Sequence, residues 1–181
     1  MVRGEGVELC VELLHWAAKQ CDGLPALAEG TTLPAARAVL AQVGQAPEAV
    51  WPYDEGRNQR ANNYHPPAGA VAEAKNRLLT GGGEICPTVV SLRQALDQGQ
   101  PVVLGMKIHT TWYGVGKDGQ IARPSASARD LGGHAVVVVG YSDDAFIVLN
   151  SWGDDWGDNG FGYIENDYVD NHAVAAWALS L

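Results

Sequence analysis

Residues 132–164 read GGHAVVVVGYSDDAFIVLNSWGDDWGDNGFGYI, and this stretch decides the fold. Two runs of apolar, mostly β-branched residues flank the polar sequence YSDD, a pattern typical of a hairpin with an Asp-rich turn. His134 begins the first run and Asn150 ends the second. Because hairpin strands run antiparallel, we expect these two side chains to lie next to each other.

A neighbouring amide has a specific use for a catalytic histidine. A general-base histidine must be held in one tautomer and one orientation. An amide oxygen that accepts from the ring N–H does this without adding charge, and the histidine can then take the proton of a thiol. His134 is therefore a candidate general base, and Asn150 is its candidate orienting residue.

The segments GGHAV, NSWG and WGDNGFGYI resemble the histidine and asparagine region of the papain-like cysteine peptidases, in which Cys, His and Asn form the catalytic set. Residues 29–54 and 92–108 resemble further parts of the same family, so the resemblance covers nearly the whole chain. It is most similar to short bacterial members. The resemblance implies a papain-like α+β fold and hydrolysis of peptide or isopeptide bonds.

The resemblance also implies individual roles. His134 would be the general base, Asn150 its orienting partner, and Trp152 the indole that covers their hydrogen bond from water. The residues implied to contact substrate are Gly30, Thr31, Gly105, Gly133 and Ala135.

The family's nucleophile segment is not recognisable. In the family, a Gln-containing loop leads into a Cys-Gly-Ser-Cys-Trp sequence at the start of a long helix, and no such sequence occurs here. Cys10 is the candidate replacement by its spacing from His134 and Asn150. Residues 10–23, however, resemble a later helix of the family, which would place the nucleophile before Met1 and make the fold N-terminally truncated. We expect Cys10 to be buried in an apolar stripe and slow to react.

Two functions follow from these alternatives. The first is a cysteine peptidase whose nucleophile is Cys10 or is supplied from elsewhere. The second is a nucleophile-less pseudoenzyme that binds a peptide or partner protein. Loss of the central helix would uncover an apolar groove, which predicts a homo-oligomer or a partner that supplies the missing helix.

The first part of the chain has helical patterns. Apolar residues at Val7, Val11, Leu14 and Ala18 predict a helix over Val7–Lys19. A second helix is predicted with Thr31 or Thr32 as its cap and Gly44 as its end. We therefore expect residues 1–80 to form a mostly helical, incomplete left-hand subdomain.

After a glycine hinge the pattern changes. A helix is predicted within residues 88–100 and a strand over 101–108, followed by the hairpin and by further strands at 161–167 and 173–181. Residues 81–181 are therefore expected to form an antiparallel, barrel-like right-hand subdomain carrying His134 and Asn150.

Composition and charge limit the binding partners and the cellular location that we expect. Lys and Arg number 12 against 21 Asp and Glu, a formal net charge of −9, so binding to nucleic acid or anionic membranes is not expected. Glu5, Glu8 and Glu12 interrupt any secretory signal, and three cysteines without a CxxC pair suit the reducing cytoplasm. The sequence has no metal-binding motif of the zinc or calcium type, so no metal or cofactor is expected.

Overall fold

The structure is a computed structural model that describes residues 6–24, 30–57 and 63–180. The chain divides into two compact units, one within residues 1–80 and one within residues 81–181. Each unit buries apolar side chains of its own. None of the described helices is long and apolar enough to cross a membrane.

The first unit is helical in the part that the structure describes. Its elements are α1 (Val11–Lys19), α2 (Leu33–Gln42), a 3-10 turn (Glu48–Val50) and α3 (Ala70–Ala74). The hydroxyl of Thr32 accepts a hydrogen bond from the backbone N–H of Ala35 at 3.3 Å, so Thr32 is the cap of α2. Gly44 lies just beyond the end of α2 with a φ of +89°, a left-handed conformation that glycine adopts without strain.

The start of α1 differs from the prediction. The helix begins at Val11 and not at Val7, because residues 8–10 are extended and pair with the backbone of residues 46–48. Cys10 is the N-cap of α1 and so lies at the start of the helix, not within the helical stripe that the sequence predicted. Its predicted burial among apolar side chains is confirmed. Val7 and Val11 are exposed. The buried residues at the cap and along the helix are Cys10, Glu12, Leu13, Ala17 and Ala18.

The second unit is an antiparallel sheet of six described strands in the order β1-β6-β2-β3-β4-β5. Its strands are β1 (Gly83–Ile85), β2 (Val102–His109), β3 (Asp130–Tyr141), β4 (Ala145–Leu149), β5 (Phe161–Glu165) and β6 (Ala173–Ala178), and its helices are α4 (Val89–Asp97) and α5 (Asn166–His172). A 3-10 turn at Thr110–Gly114 follows β2. The sheet is open, with β1 and β5 at its edges, where the sequence predicted a barrel-like one.

Two elements of this unit were not predicted. The segment after β5 was expected to continue as a strand, but it turns into α5, which buries Tyr168 and Val169. The short strand β1 begins at Gly83, the last residue of the predicted glycine hinge at Gly81–Gly83, and pairs with β6 over Gly83–Ile85. Both elements are short, and their structure depends on packing rather than on a repeating pattern.

One face of the sheet carries the core of the second unit. Val136 and Val138 of β3 and Leu104 and Met106 of β2 are buried there. Successive side chains of a strand point to opposite faces, so His134, two residues before Val136, belongs to this same face. The strand thus directs the histidine ring toward the aromatic side chains at the end of the core.

Candidate active site

His134 lies in β3 opposite Met106 of β2. Gly132, Gly133 and Ala135 are exposed around it, whereas the imidazole ring is half-buried. The histidine therefore lies where the core meets the surface. A ring in this position can exchange protons with a bound molecule and still be held firmly on its inner side.

Asn150 is the inner partner of that ring. It follows β4 directly, and its backbone N–H donates to the carbonyl of Gly160 at 2.9 Å. Its side-chain oxygen Oδ1 lies 2.8 Å from Nε2 of His134, and it also accepts from the backbone N–H of Ser151 at 2.8 Å. Asn150 is only 7% exposed. The contact expected from the hairpin is therefore present in the structure.

The bond from Ser151 determines which proton His134 carries. A backbone N–H can only donate, so the atom of Asn150 that faces Ser151 is the carboxamide oxygen. That same oxygen faces Nε2 of His134, which must then be the protonated ring nitrogen. Nδ1 is left as the acceptor. Asn150 therefore selects the tautomer in which Nδ1 of His134 is available as a base.

Aromatic rings surround this pair. Trp152 lies with its ring centroid 5.0 Å from that of His134, and Trp112 lies edge-on to His134 at 5.8 Å. Tyr113 stacks on Trp152 at 5.4 Å, and Trp156 stacks on Trp112 at 5.9 Å. Such a setting lowers the local dielectric and strengthens the hydrogen bond between His134 and Asn150. Trp152 thus packs against the His134 ring, and its implied role of covering the hydrogen bond from water stays a prediction.

The turn after Asn150 supports this cluster. Gly157 has a φ of +58°, and a Cβ at Gly157 would come within 2.3 Å of the carbonyl oxygen of Phe161. A Cβ at Gly162 would come within 2.7 Å of the Trp156 ring. Glycine is therefore required at both positions for the chain to turn and for Trp156 to pack beside the sheet.

Sequence reasoning missed Trp112, Trp156 and Tyr168 as parts of the site. Trp156 Nε1 donates to the carbonyl of Trp112 at 2.8 Å, and Trp112 Nε1 donates to the hydroxyl of Tyr168 at 2.9 Å. These residues come from a 3-10 turn, a loop and α5. The only sequence feature that pointed to this cluster was the occurrence of several tryptophans between residues 112 and 156. The contacts among these side chains depend on the tertiary fold and could not be read from the sequence.

Cys10, the candidate nucleophile, lies in the first unit and is fully buried. Its Sγ donates to the carbonyl of Trp51 at 3.1 Å and accepts from the N–H of Leu13 at 3.3 Å. Burial raises the pKa of the Cys10 thiol, and the hydrogen bond from Leu13 opposes this only in part. The thiol is therefore held protonated near neutral pH. Cys21 and Cys86 are free and exposed.

The residues implied to contact substrate fall in both units. Gly105 and Ala135 are direct cross-strand partners in the β2–β3 pair, and Gly133 has open space where a side chain would project. In the first unit, Gly30 is exposed, and the hydroxyl of Thr31 donates to Asp22 at 3.2 Å. Within the described residues, no group of three or more His, Cys, Asp or Glu side chains is placed to hold a metal ion.

The sequence profile described as "Papain family cysteine protease" matches residues 18–179. An uncharacterised peptidase C1-like protein of Acanthamoeba polyphaga mimivirus is 32% identical over 145 residues, which cover 74% of this chain and 45% of that protein. Peptidase 1 of Dermatophagoides farinae is 30% identical over 149 residues, covering 75% of this chain and 41% of that protein. The chain therefore belongs to the papain family of cysteine proteases.

Solved structures show the same fold. Xylellain, a cysteine protease from Xylella fastidiosa, superposes with a TM-score of 0.84 at 23% identity, covering 98% of this chain and 71% of that one. Procathepsin L 3 of Tenebrio molitor superposes with a TM-score of 0.69 at 21% identity, covering 99% of this chain and 57% of that one. The papain-like fold predicted from the sequence is thus confirmed. The chain spans less than half the length of the two curated relatives described above.

Proposed function

We propose that this protein hydrolyses peptide or isopeptide bonds by Cys-His-Asn chemistry, with His134 as general base and Asn150 as its orienting residue. The observation that carries the proposal is the 2.8 Å hydrogen bond from Nε2 of His134 to Oδ1 of Asn150, which leaves Nδ1 as the basic nitrogen. Membership of the papain family supports it.

The chemistry follows from that tautomer. Nδ1 of His134 takes the proton of a cysteine thiol, and the thiolate attacks the carbonyl carbon of the scissile amide. The protonated ring then gives its Nδ1 proton to the leaving amine, and a thioester remains. Water, deprotonated by Nδ1, attacks the thioester and releases the acid and the thiol. Asn150 keeps the ring in place throughout and stabilises the imidazolium through the Nε2–H bond.

The source of the thiol divides the proposal into two forms. In one form Cys10 is the nucleophile, and its thiolate would have to form against the burial that raises its pKa. In the other form, the nucleophile comes from a segment or partner outside the described residues. Nucleophilic cysteines are usually partly exposed and have a lowered pKa, so the surroundings of Cys10 favour the second form.

The burial of Cys10 supports a second candidate function. If no cysteine is supplied to His134, the protein binds a peptide or partner protein without cutting it. The buried, protonated Cys10 thiol is what supports this pseudoenzyme alternative. Binding would then use the same surface, and His134 would act only as a hydrogen-bonding group.

We further propose that substrate lies along the exposed residues Gly133 and Ala135 of β3, with the buried Gly105 of β2 beside Ala135 on the floor of this subsite. Contact of substrate with Gly30 and Thr31 stays a prediction of the family resemblance. Small residues at the three positions of the second unit would let an extended peptide backbone approach closely. The free cysteines are consistent with a cytoplasmic setting. A second copy or a partner that contributes a helix remains our expectation for its assembly.

A peptide-amide assay tests the proposal. The unchanged chain and the variant His134→Ala are each incubated with a library of fluorogenic peptide amides. His65→Ala is the control variant, because His65 is an exposed histidine of the first unit. Loss of hydrolysis in His134→Ala alone supports the peptidase. Peptide binding without hydrolysis by the unchanged chain would refute the form in which Cys10 is the nucleophile and would favour the pseudoenzyme for the chain alone.

A further inference from the structure

Trp112 is held at both ends. It is fully buried, its backbone carbonyl accepts from Trp156 Nε1 at 2.8 Å, and its own Nε1 donates to the hydroxyl of Tyr168 at 2.9 Å. Its ring touches His134 edge-on, with the two centroids 5.8 Å apart. Rotation of this indole would therefore remove the packing surface that faces the histidine ring.

The Tyr168 hydroxyl has two hydrogen-bond partners. An indole N–H can only donate, so the Tyr168 oxygen is the acceptor of the bond from Trp112. Nδ1 of His109 lies 3.2 Å from the same oxygen and is its second hydrogen-bond partner. Tyr168 is only 2% exposed, and its ring also packs against His172 at 4.5 Å between centroids. A buried hydroxyl with hydrogen bonds to two side chains is held in one position.

From this chain of contacts we infer that Tyr168 is a positioning residue for His134, acting through Trp112. The inference rests on the proposed role of His134 as a base. The ring of His134 is fixed on its inner edge by Asn150 and on one side by Trp112, and Trp112 is fixed in turn by a hydroxyl from α5. Without that hydroxyl, Nε1 of Trp112 would be a buried donor with no acceptor, which favours a shifted indole.

The test measures His134 directly. In the full chain labelled with 15N, solvent exchange of the His134 Nε2–H proton is compared between the unchanged protein and Tyr168→Phe. We expect exchange about tenfold faster in Tyr168→Phe, the factor that corresponds to one ordinary hydrogen bond. Tyr163→Phe is the matched control, because Tyr163 also donates its hydroxyl to a side chain, Asp158 at 2.7 Å, but lies in β5 away from Trp112.

A second variant allows the inference to be tested even if Tyr168→Phe does not fold. His109→Leu removes the second hydrogen-bond partner of the Tyr168 hydroxyl at a partly exposed site. We expect His134 Nε2–H exchange to become faster in this variant too, but by a smaller factor than in Tyr168→Phe. If Tyr168→Phe does not fold, the result for His109→Leu decides. Unchanged exchange in the folded variants, or an equal change in Tyr163→Phe, would overturn the inference.

The two proposals fail in different ways. A chain that hydrolyses no peptide but shows Tyr168-dependent exchange at His134 refutes hydrolysis by this chain alone and keeps the positioning role. A chain that hydrolyses peptides with unchanged His134 exchange in Tyr168→Phe refutes the positioning role alone.

Discussion

Oδ1 of Asn150 accepts two hydrogen bonds at 2.8 Å, one from Nε2 of His134 and one from the backbone N–H of its neighbour Ser151. The local backbone thus orients the carboxamide before it meets the histidine. Nδ2 of Asn150 is buried and has no hydrogen-bond partner among the described residues, so the oxygen is the functional end of this side chain. An unpaired buried donor is costly, and a costly group at a site of this kind is expected to serve function rather than stability.

The first prediction concerns this oxygen. Asn150→Ala should leave Nε2 of His134 without its acceptor, so the ring should populate both neutral tautomers. Asn150→Asp keeps an oxygen for both N–H donors and should retain the Nε2–H form. The 15N shifts of the two ring nitrogens report the tautomer. A single Nε2–H tautomer persisting in Asn150→Ala would show that Asn150 does not select it. If the protein is active, loss of this bond of about 1.4 kcal/mol corresponds to about tenfold in rate.

The second prediction concerns the three cysteines. Cys10 is fully buried and its pKa is raised by burial, whereas Cys21 and Cys86 are exposed. At neutral pH we expect iodoacetamide to label Cys10 at least about tenfold more slowly than Cys86, because only the thiolate reacts. Mass spectrometry of peptides taken over time gives the three rates in one sample.

Fast labelling of Cys10 would reverse this expectation. If that labelling also disappeared in His134→Ala and matched the loss of peptide hydrolysis, Cys10 would be the nucleophile. Labelling of Cys86 at an unchanged rate in the same sample serves as the internal control.

The sequence allowed some parts of this structure to be predicted and not others. The contact between His134 and Asn150 follows from one hairpin, in which both strands and the turn have clear local patterns. The cap of α1 could not be predicted in the same way, because caps are usually Ser, Thr, Asp or Asn and here the cap is Cys10. The contact of Trp112 with Tyr168 joins positions 56 residues apart in elements with no repeating pattern.

The third prediction concerns Gly162. A methyl group there would come within 2.7 Å of both Trp156 and Ile121, so Gly162→Ala should destabilise the protein by about 1–3 kcal/mol through overpacking. Gly133→Ala is the matched control, because Gly133 has open space and a surface change of this kind usually costs less than about 0.5 kcal/mol. Urea unfolding measures both. If Gly133 contacts substrate as proposed, Gly133→Ala should raise KM and leave stability unchanged. Equal stability of the two variants would contradict the packing argument.

The fourth prediction concerns a buried ion pair in the first unit. The Glu12 side chain is inaccessible to solvent and lies 2.7 Å from Arg57 Nη1, and it also accepts from the Tyr64 hydroxyl at 2.7 Å. Arg57→Ala would leave a buried carboxylate without its cation, and we expect a loss of about 3 kcal/mol in the free energy of unfolding.

Arg77→Ala is the control for this pair. Arg77 and Glu73 form an ion pair in which both side chains are more than a third exposed, and such pairs contribute less than about 1 kcal/mol. Urea midpoints measured for both variants give the comparison. A loss in Arg57→Ala no larger than that in Arg77→Ala would mean that Tyr64 alone satisfies Glu12.

The last prediction concerns pH and His172 in α5. Burial lowers the pKa of His172 below the ordinary value of 6.5, and the charges of His109 and Lys107 lower it further, while Asp130 opposes them. Because the pKa of His172 is lower in the folded protein, there is a pH range in which His172 is protonated in the unfolded chain and still neutral in the folded protein. Stability should therefore fall as the pH decreases from about 6.5 to the folded-state pKa, with no further contribution from this group below it. His172→Gln should flatten this decrease, whereas substitution of the exposed His65 by Gln should leave it unchanged. Unfolding free energies measured in urea between pH 7.5 and 5 test the sign, and an equally steep decrease in His172→Gln would show that other groups cause it.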